Sequence, residues 1–202
     1  DHLERSVNRS IFFICFLVFP SIIGIVVLAP ILVNVVPRYN HWTPARIPII
    51  FISINFMFAA ATTQLTNLLN AIGKIKITFY LMIMWTVLSW ILIPMLAMQF
   101  GVIGASIGYA LVGISSIVAI IVARKYVKFS LTDSMVKPLI GAGVMGLVLV
   151  IARRFLPENT TSMGILTLLG AIVYGASMLS MTGLSLLEDV KRSANTLLNR
   201  AS

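Results

Sequence analysis

Charged residues are scarce in this sequence. Only 10% of its 202 residues are Asp, Glu, Lys or Arg, whereas 59% are hydrophobic and the mean hydropathy is +1.01. Because an average soluble domain is about 25% charged, this chain has too few charged groups to cover a surface that faces water. The composition therefore excludes an ordinary soluble domain and predicts an integral membrane protein.

Cysteine, histidine and acidic residues are also rare. The single cysteine, Cys15, excludes an internal disulfide and a cysteine metal cluster. The six acids and two histidines fall outside the long apolar runs and form no carboxylate pair, histidine cluster or metal-ligand spacing. We therefore expect no catalytic residue, no metal site and no cofactor, and we expect that the protein is not an enzyme.

Basic residues are in excess, with a net charge of +9, but they lie between the apolar runs. No basic helix with interleaved aromatic residues is present, so a nucleic acid is not an expected partner. The pattern is typical instead of the Lys and Arg residues that flank transmembrane helices on their cytoplasmic side. The expected surroundings are a lipid bilayer.

The apolar runs are long and lack the two-residue alternation of barrel strands, which favours helices. The predicted fold class is all-α: a polytopic membrane helical bundle of about six transmembrane helices at residues 1–187, followed by an amphipathic cytoplasmic tail at 188–202. The helices are predicted at residues 10–36, 47–69, 77–98, 102–123, 138–155 and 163–187. Tight turns are expected at residues 70–74 and 99–101.

The distribution of Lys and Arg predicts the orientation of this bundle. Six crossings place both ends of the chain on one side of the membrane. The basic residues on that side are Arg5, Arg9, Lys74, Lys76, Arg124, Lys125, Lys128, Lys137, Lys191, Arg192 and Arg200, and those on the other side are Arg38, Arg46, Arg153 and Arg154. Since the first side carries most of the 15 basic residues, both termini are predicted to be cytoplasmic.

A polar seam runs along the second predicted helix. Asn55, Thr62, Thr66 and Asn70 recur on one helical face, to which Ala59 also belongs. One interpretation is hydrogen bonding between helices by Thr62, Thr66 and the neighbouring Asn67. The other is the wall of a substrate cavity, in which hydroxyls and amides meet sugar hydroxyls. Tyr80, Trp85 and Trp90 of the next helix would then either stack on sugar rings or simply pack.

Arg153 and Arg154, at the outer end of the fifth predicted helix, are the charges nearest to the membrane interior. They either extend to the outer interface or contact a phosphate-bearing headgroup.

Two segments resemble motifs of a known transporter family. Residues 68–76, LLNAIGKIK, resemble the "LNALGRTK"-like turn of polysaccharide-exporting flippases, and residues 93–108, IPMLAMQFGVIGASIG, are similar to their "IPxxGixGAAiat" passage. Both occur in the right order and at the right separation. The chain therefore resembles the C-terminal lobe of a Wzx-type oligosaccharide flippase, in the superfamily that also holds drug-exporting antiporters and the lipid II flippase.

The resemblance implies a transporter with two six-helix lobes around a central cavity. Its substrate would be a lipid-linked oligosaccharide, flipped across the cell membrane for surface polysaccharide or glycan synthesis, and its other partner would be an N-terminal six-helix lobe. A start at Asp1, without Met or a leader, fits this expectation of a piece of a longer protein. Two alternatives remain open: a cation-coupled antiporter of drugs or small molecules, and a membrane scaffold that transports nothing.

Overall fold

The computed structural model describes residues 2–35, 44–126 and 132–182, and within these ranges it contains helices and no strands. The α-helices are α1 His2–Val35, α2 Arg46–Ala71, α3 Ile75–Ser115, α4 Ile117–Arg124, α5 Lys137–Arg153 and α6 Thr160–Thr182. Five segments of the described chain are long and apolar enough to cross a membrane. The prediction of an all-α helical bundle is therefore confirmed. The predicted tail at 188–202, the end of the last predicted helix and the loop at 37–43 lie outside the described residues.

The helix α3 reverses direction at Gly101. The apolar segment Ile75–Arg124 has 50 residues and as a straight helix would be about 75 Å long, far beyond the ~30 Å hydrocarbon core. Gly101 has φ 61° and ψ −140°, a conformation that residues with a Cβ avoid. The chain folds back there into two antiparallel arms, 75–100 and 102–115, and α4 extends the second arm beyond Ser116.

The two arms pack so closely that the backbone of one contacts the backbone of the other. A Cβ added to Gly104 would collide with the carbonyl group of Leu96, and one added to Gly108 would lie 3.0 Å from the Cα of Ile93. Only glycine allows helices to approach so closely. The predicted turn at residues 99–101 is thus present, and Ile75–Arg124 supplies two segments of membrane-spanning length.

The turn between α2 and α3 is fixed by local hydrogen bonds. Gly73 has φ 77°, its N–H donates to the carbonyl oxygen of Asn70 (3.0 Å), and the N–H of Lys74 donates to that of Leu69 (2.7 Å). This pair of bonds is a Schellman motif, which ends a helix with glycine in the left-handed region. Lys74 then lies over the ring of Tyr126, 5.2 Å from its centroid, beside the end of α4.

The helices α1 and α5 run parallel. The hydroxyl of Ser134, in a π-helical turn Thr132–Val136 that precedes α5, donates to the carbonyl oxygen of Asn8 (3.3 Å). At the other end the Nη1 of Arg153 donates to the carbonyl oxygen of Val27 (3.3 Å). The helical path into α5 thus starts before the predicted residue 138, because Ser134 anchors the preceding turn to α1.

The helix α6 completes this half of the molecule and runs antiparallel to α5, since Gly141 approaches Met178 and Gly170 approaches Leu149. The main core lies between α1, α2, α4, α5 and α6, and a smaller cluster joins α2 to α3 and α4. Many large apolar side chains face outward, including Trp90, which is 77% exposed, and Phe155, which is 83% exposed. Such a surface is suited to contact with lipid chains rather than water.

Candidate functional site

A polar cavity of about 450 Å³ lies between α2 and the two arms of α3. Its lining residues come from three neighbouring helical segments. They are Asn55, Ala59, Thr62, Thr63, Thr66 and Asn67 of α2, Met82, Trp85 and Ser89 of the first arm, and Tyr109, Val112 and Ser116 at the second. The lining carries hydroxyl, amide and aromatic groups and no charged side chain. The cavity can therefore hold a polar, uncharged group within an apolar bundle.

Three of the four residues predicted for the cavity line it. Asn55, Thr62 and Thr66 lie on one face of α2 because they recur at helical spacing, and that face packs against α3. Asn70 does not line this cavity. It lies in the last turn of α2, where its side chain is exposed and its backbone carbonyl oxygen accepts the N–H of Gly73.

The threonine hydroxyls bond within their own helix. Thr62 Oγ1 donates to the carbonyl oxygen of Phe58 (3.0 Å), and Thr66 Oγ1 donates to that of Thr63 (2.9 Å). The interpretation that these two residues hydrogen-bond between helices is therefore wrong, because a helix supplies carbonyl acceptors three and four residues back. Each hydroxyl has already used its one hydrogen and retains lone pairs as acceptors. A sugar hydroxyl could donate to them.

Unlike Thr62 and Thr66, Asn55 of the polar seam forms a hydrogen bond to another helical segment. Its Nδ2 donates to the carbonyl oxygen of Tyr109 at 2.8 Å. Beside it the backbones approach closely, since a Cβ added to Gly113 would lie 2.5 Å from the Cα of Asn55. This contact fixes one end of the cavity and leaves the amide oxygen of Asn55 as an acceptor.

Of Tyr80, Trp85 and Trp90, the three aromatic residues predicted either to stack on sugar rings or to pack, Trp85 is the one that lines the cavity. Its indole Nε1 is buried and has no hydrogen-bond partner among the described residues, while its ring packs against the cluster of Leu69, Leu81 and Ala119. Tyr80 and Trp90 are 68% and 77% exposed and do not line the cavity. A buried donor without an acceptor is costly, so Trp85 marks a place where a polar ligand group would be favourable.

Ser89, Tyr109 and Ser116 also line the cavity but were not singled out from the sequence. Ser89 follows Met82 and Trp85 at helical spacing, so the sequence could have placed it on the same face as Trp85. Tyr109 and Ser116 lie in a glycine-rich apolar run, and nothing local shows that this run faces α2.

Arg153 and Arg154 differ in their contacts with the rest of the bundle. The guanidinium of Arg153 donates to the Val27 carbonyl oxygen and, through Nη2, to Glu158 Oε1 (3.3 Å). Arg154 makes no side-chain hydrogen bond or ion pair with the described residues. A second polar cavity, of about 360 Å³, is lined by Val150, Arg153, Arg154 and Glu158. An anion placed there would meet the guanidinium groups of Arg153 and Arg154 and also the carboxylate of Glu158.

Substituting Arg153 with glutamine is expected to lower the free energy of unfolding by about 1–2 kcal/mol, because the Val27 carbonyl and the Glu158 carboxylate both lose a charged donor. The ion pair contributes little to this, since both side chains are partly exposed. Arg154→Gln is the matched control and should unfold like the wild type. The measurement is equilibrium unfolding in detergent, and equal stabilities of the two variants would contradict the bridging role of Arg153.

No protein-family model, curated protein sequence or solved structure matches this chain. Within residues 2–35, 44–126 and 132–182, no group of three or more His, Cys, Asp or Glu residues could hold a metal ion.

Proposed function

We propose that this chain is one lobe of a membrane transporter that flips a lipid-linked oligosaccharide across the cell membrane. The observation that carries the proposal is the polar, uncharged cavity between α2 and the α3 hairpin. Polar groups within the bilayer are expensive and are typically retained for function. The segments that resemble polysaccharide flippases, residues 68–76 and 93–108, form the two turns of the helices that line this cavity.

The chemistry of the lining suits a sugar. Thr62, Thr66 and Asn55 offer acceptor oxygens, and Asn67 adds an amide that both donates and accepts. Trp85 and Tyr109 supply flat apolar faces like those on which sugar rings stack. A substrate whose lipid tail stays in the bilayer would need such a lining only for its headgroup.

Transport would require a second lobe. In two-lobed transporters the substrate site lies at the interface between repeats, and access alternates when one repeat rocks against the other. We propose that the cavity faces a second six-helix lobe of the same protein.

The proposal is tested by reconstituting the protein, as its gene encodes it, into vesicles that contain a lipid-linked oligosaccharide with a labelled glycan. An enzyme added outside, which cannot cross the membrane, removes the accessible glycan, so that the protected fraction reports the inner leaflet. We expect the protein to accelerate the loss of this protected fraction. A rate equal to that of protein-free vesicles would reject the flippase.

The same vesicles separate the alternatives. A cation-coupled antiporter would instead move a small amphipathic dye in response to a sodium or proton gradient, and a scaffold would move neither substrate. The uncharged lining of the cavity favours the flippase, because it offers no carboxylate to a coupling cation.

A further inference from the structure

The threonine hydroxyls on the α2 side of the polar cavity have already used their hydrogens. Thr62 and Thr66 donate to backbone carbonyl oxygens of their own helix, and Thr63 Oγ1 donates in the same way to the carbonyl oxygen of Ala59 (2.8 Å). A hydroxyl has a single hydrogen and two lone pairs. The three threonines can therefore offer a ligand in the cavity only acceptor oxygens.

Asn55 extends this set of acceptors along α2. Its Nδ2 donates to the carbonyl oxygen of Tyr109 (2.8 Å), and its Oδ1 is an amide acceptor with two lone pairs. Asn67 also belongs to the lining, and its exposed amide both donates and accepts. On the α2 side of the cavity, acceptors therefore outnumber donors.

The other side of the cavity, formed by the two arms of α3, carries the hydroxyls of Ser89, Tyr109 and Ser116. These hydroxyls make no side-chain hydrogen bond with the described residues, so each can donate to a ligand and accept from it. No lysine, arginine, aspartate or glutamate is among the described residues that line the cavity. A ligand there thus meets acceptors on one side, hydroxyls on the other, and no charge.

A sugar hydroxyl matches both sides of this cavity, because it can donate to α2 and accept from α3. Thr62 and Thr66 are one helical turn apart, which places their Cβ atoms about 5–6 Å from each other, so two hydroxyls of one sugar ring can reach them. A carboxylate, in contrast, can only accept. It would face the lone pairs of the α2 side and lose water without gaining a cation, which is costly.

We infer that the polar cavity selects a neutral sugar, which donates its hydroxyl hydrogens to Thr62, Thr63 and Thr66, and that it rejects the corresponding uronic acid. The inference rests on the proposed flippase function and narrows its substrate class to glycans that are uncharged at the sugar held by the cavity. The selectivity follows from the hydrogen bonds within α2, because these bonds turn the threonine hydroxyls into acceptors.

The test compares two lipid-linked disaccharides that differ at one carbon. The sugar next to the lipid is glucose in one and glucuronic acid in the other, and both end in the same labelled sugar, so that one impermeant enzyme reports both in the vesicle assay. The protein, as its gene encodes it, should move the glucose form about tenfold faster. Equal rates would overturn the inference and leave the flippase standing, whereas movement of neither form would reject the flippase.

The charge of the lining is tested by Thr63→Lys, which places a cation at an exposed position of the cavity. We expect this variant to move the glucuronic acid form about tenfold faster than the wild type does, so that the preference for glucose is lost. Gln99→Lys is the control, because Gln99 is exposed near the turn of α3 and does not line the cavity; it should keep the preference. An unchanged preference in Thr63→Lys, with normal amounts of protein in the membrane, would overturn the inference.

Binding of the two glycolipids is measured separately from transport. Native mass spectrometry of the purified wild type in mild detergent, with equal amounts of both glycolipids, should show about tenfold more of the glucose form retained. This result would support the site even if no flipping occurs or if Thr63→Lys fails to insert. Equal retention would overturn the inference in either case, so a failure of selectivity is distinguished from a failure of the flippase.

Discussion

Gly104→Ala is expected to lower the free energy of unfolding by about 2 kcal/mol or more, within the range for overpacked helix contacts. The added methyl group would collide with the backbone carbonyl of Leu96 in the opposite arm of α3. A side chain could rotate away, but a helix carbonyl cannot move without displacing the whole arm. The arms should therefore separate, and equilibrium unfolding in detergent measures the loss.

Gly143→Ala provides the matched control for this substitution. Gly143 also lies inside a helix, α5, but a Cβ there meets no atom within 4 Å. Alanine at this position should be neutral or stabilising by up to ~1 kcal/mol, because alanine is the better helix former. If Gly104→Ala proves as stable as Gly143→Ala, the two arms of α3 do not pack as described.

The double substitution Thr62→Val and Thr66→Val is expected to slow headgroup translocation about 30-fold, if each lost hydrogen bond to the substrate is worth about 1 kcal/mol. Valine keeps the shape of threonine and removes the acceptor oxygen. Since both hydroxyls bond only within α2, no contact between helices is lost and stability should change little. The protected-glycan assay in vesicles measures the rate.

Thr86→Val is the control for the cavity. Thr86 also donates within its own helix, to the carbonyl oxygen of Met82 at 2.9 Å, but it is exposed and does not line the cavity. Its substitution should leave the translocation rate unchanged. An unaltered rate in the Thr62 and Thr66 double variant, with normal amounts of protein in the membrane, would remove these residues from the substrate site.

Local sequence determined the features that could be predicted. The turns at Gly73 and Gly101 depend on glycine conformations with positive φ, and the seam on α2 depends on helical periodicity alone. The start of α1 is a different case: it begins at His2 rather than at the predicted Ser10, because no proline or glycine stops the helix before the apolar run.

The pairing of distant helices could not be predicted in the same way. That Tyr109 meets Asn55, or that Arg153 meets Val27, depends on which faces of α1, α2, α3 and α5 pack together. Several faces of each helix are equally apolar, so hydrophobic pattern does not choose between them. The hydrogen-bond partners of Thr62 and Thr66 were missed for a related reason: helix carbonyls compete with neighbouring helices for the same hydroxyl.

The parallel course of α1 and α5 has a consequence for membrane sidedness. Two parallel neighbours can be joined only by an odd number of intervening passes, and α2 with the two arms of α3 provides three. Without the reversal at Gly101 only two passes would lie between α1 and α5, and these two helices would then run antiparallel. Because α6 then runs back along α5, Asn8 and Thr182 emerge at the same face, so an impermeant reagent that labels one position should label the other from the same compartment.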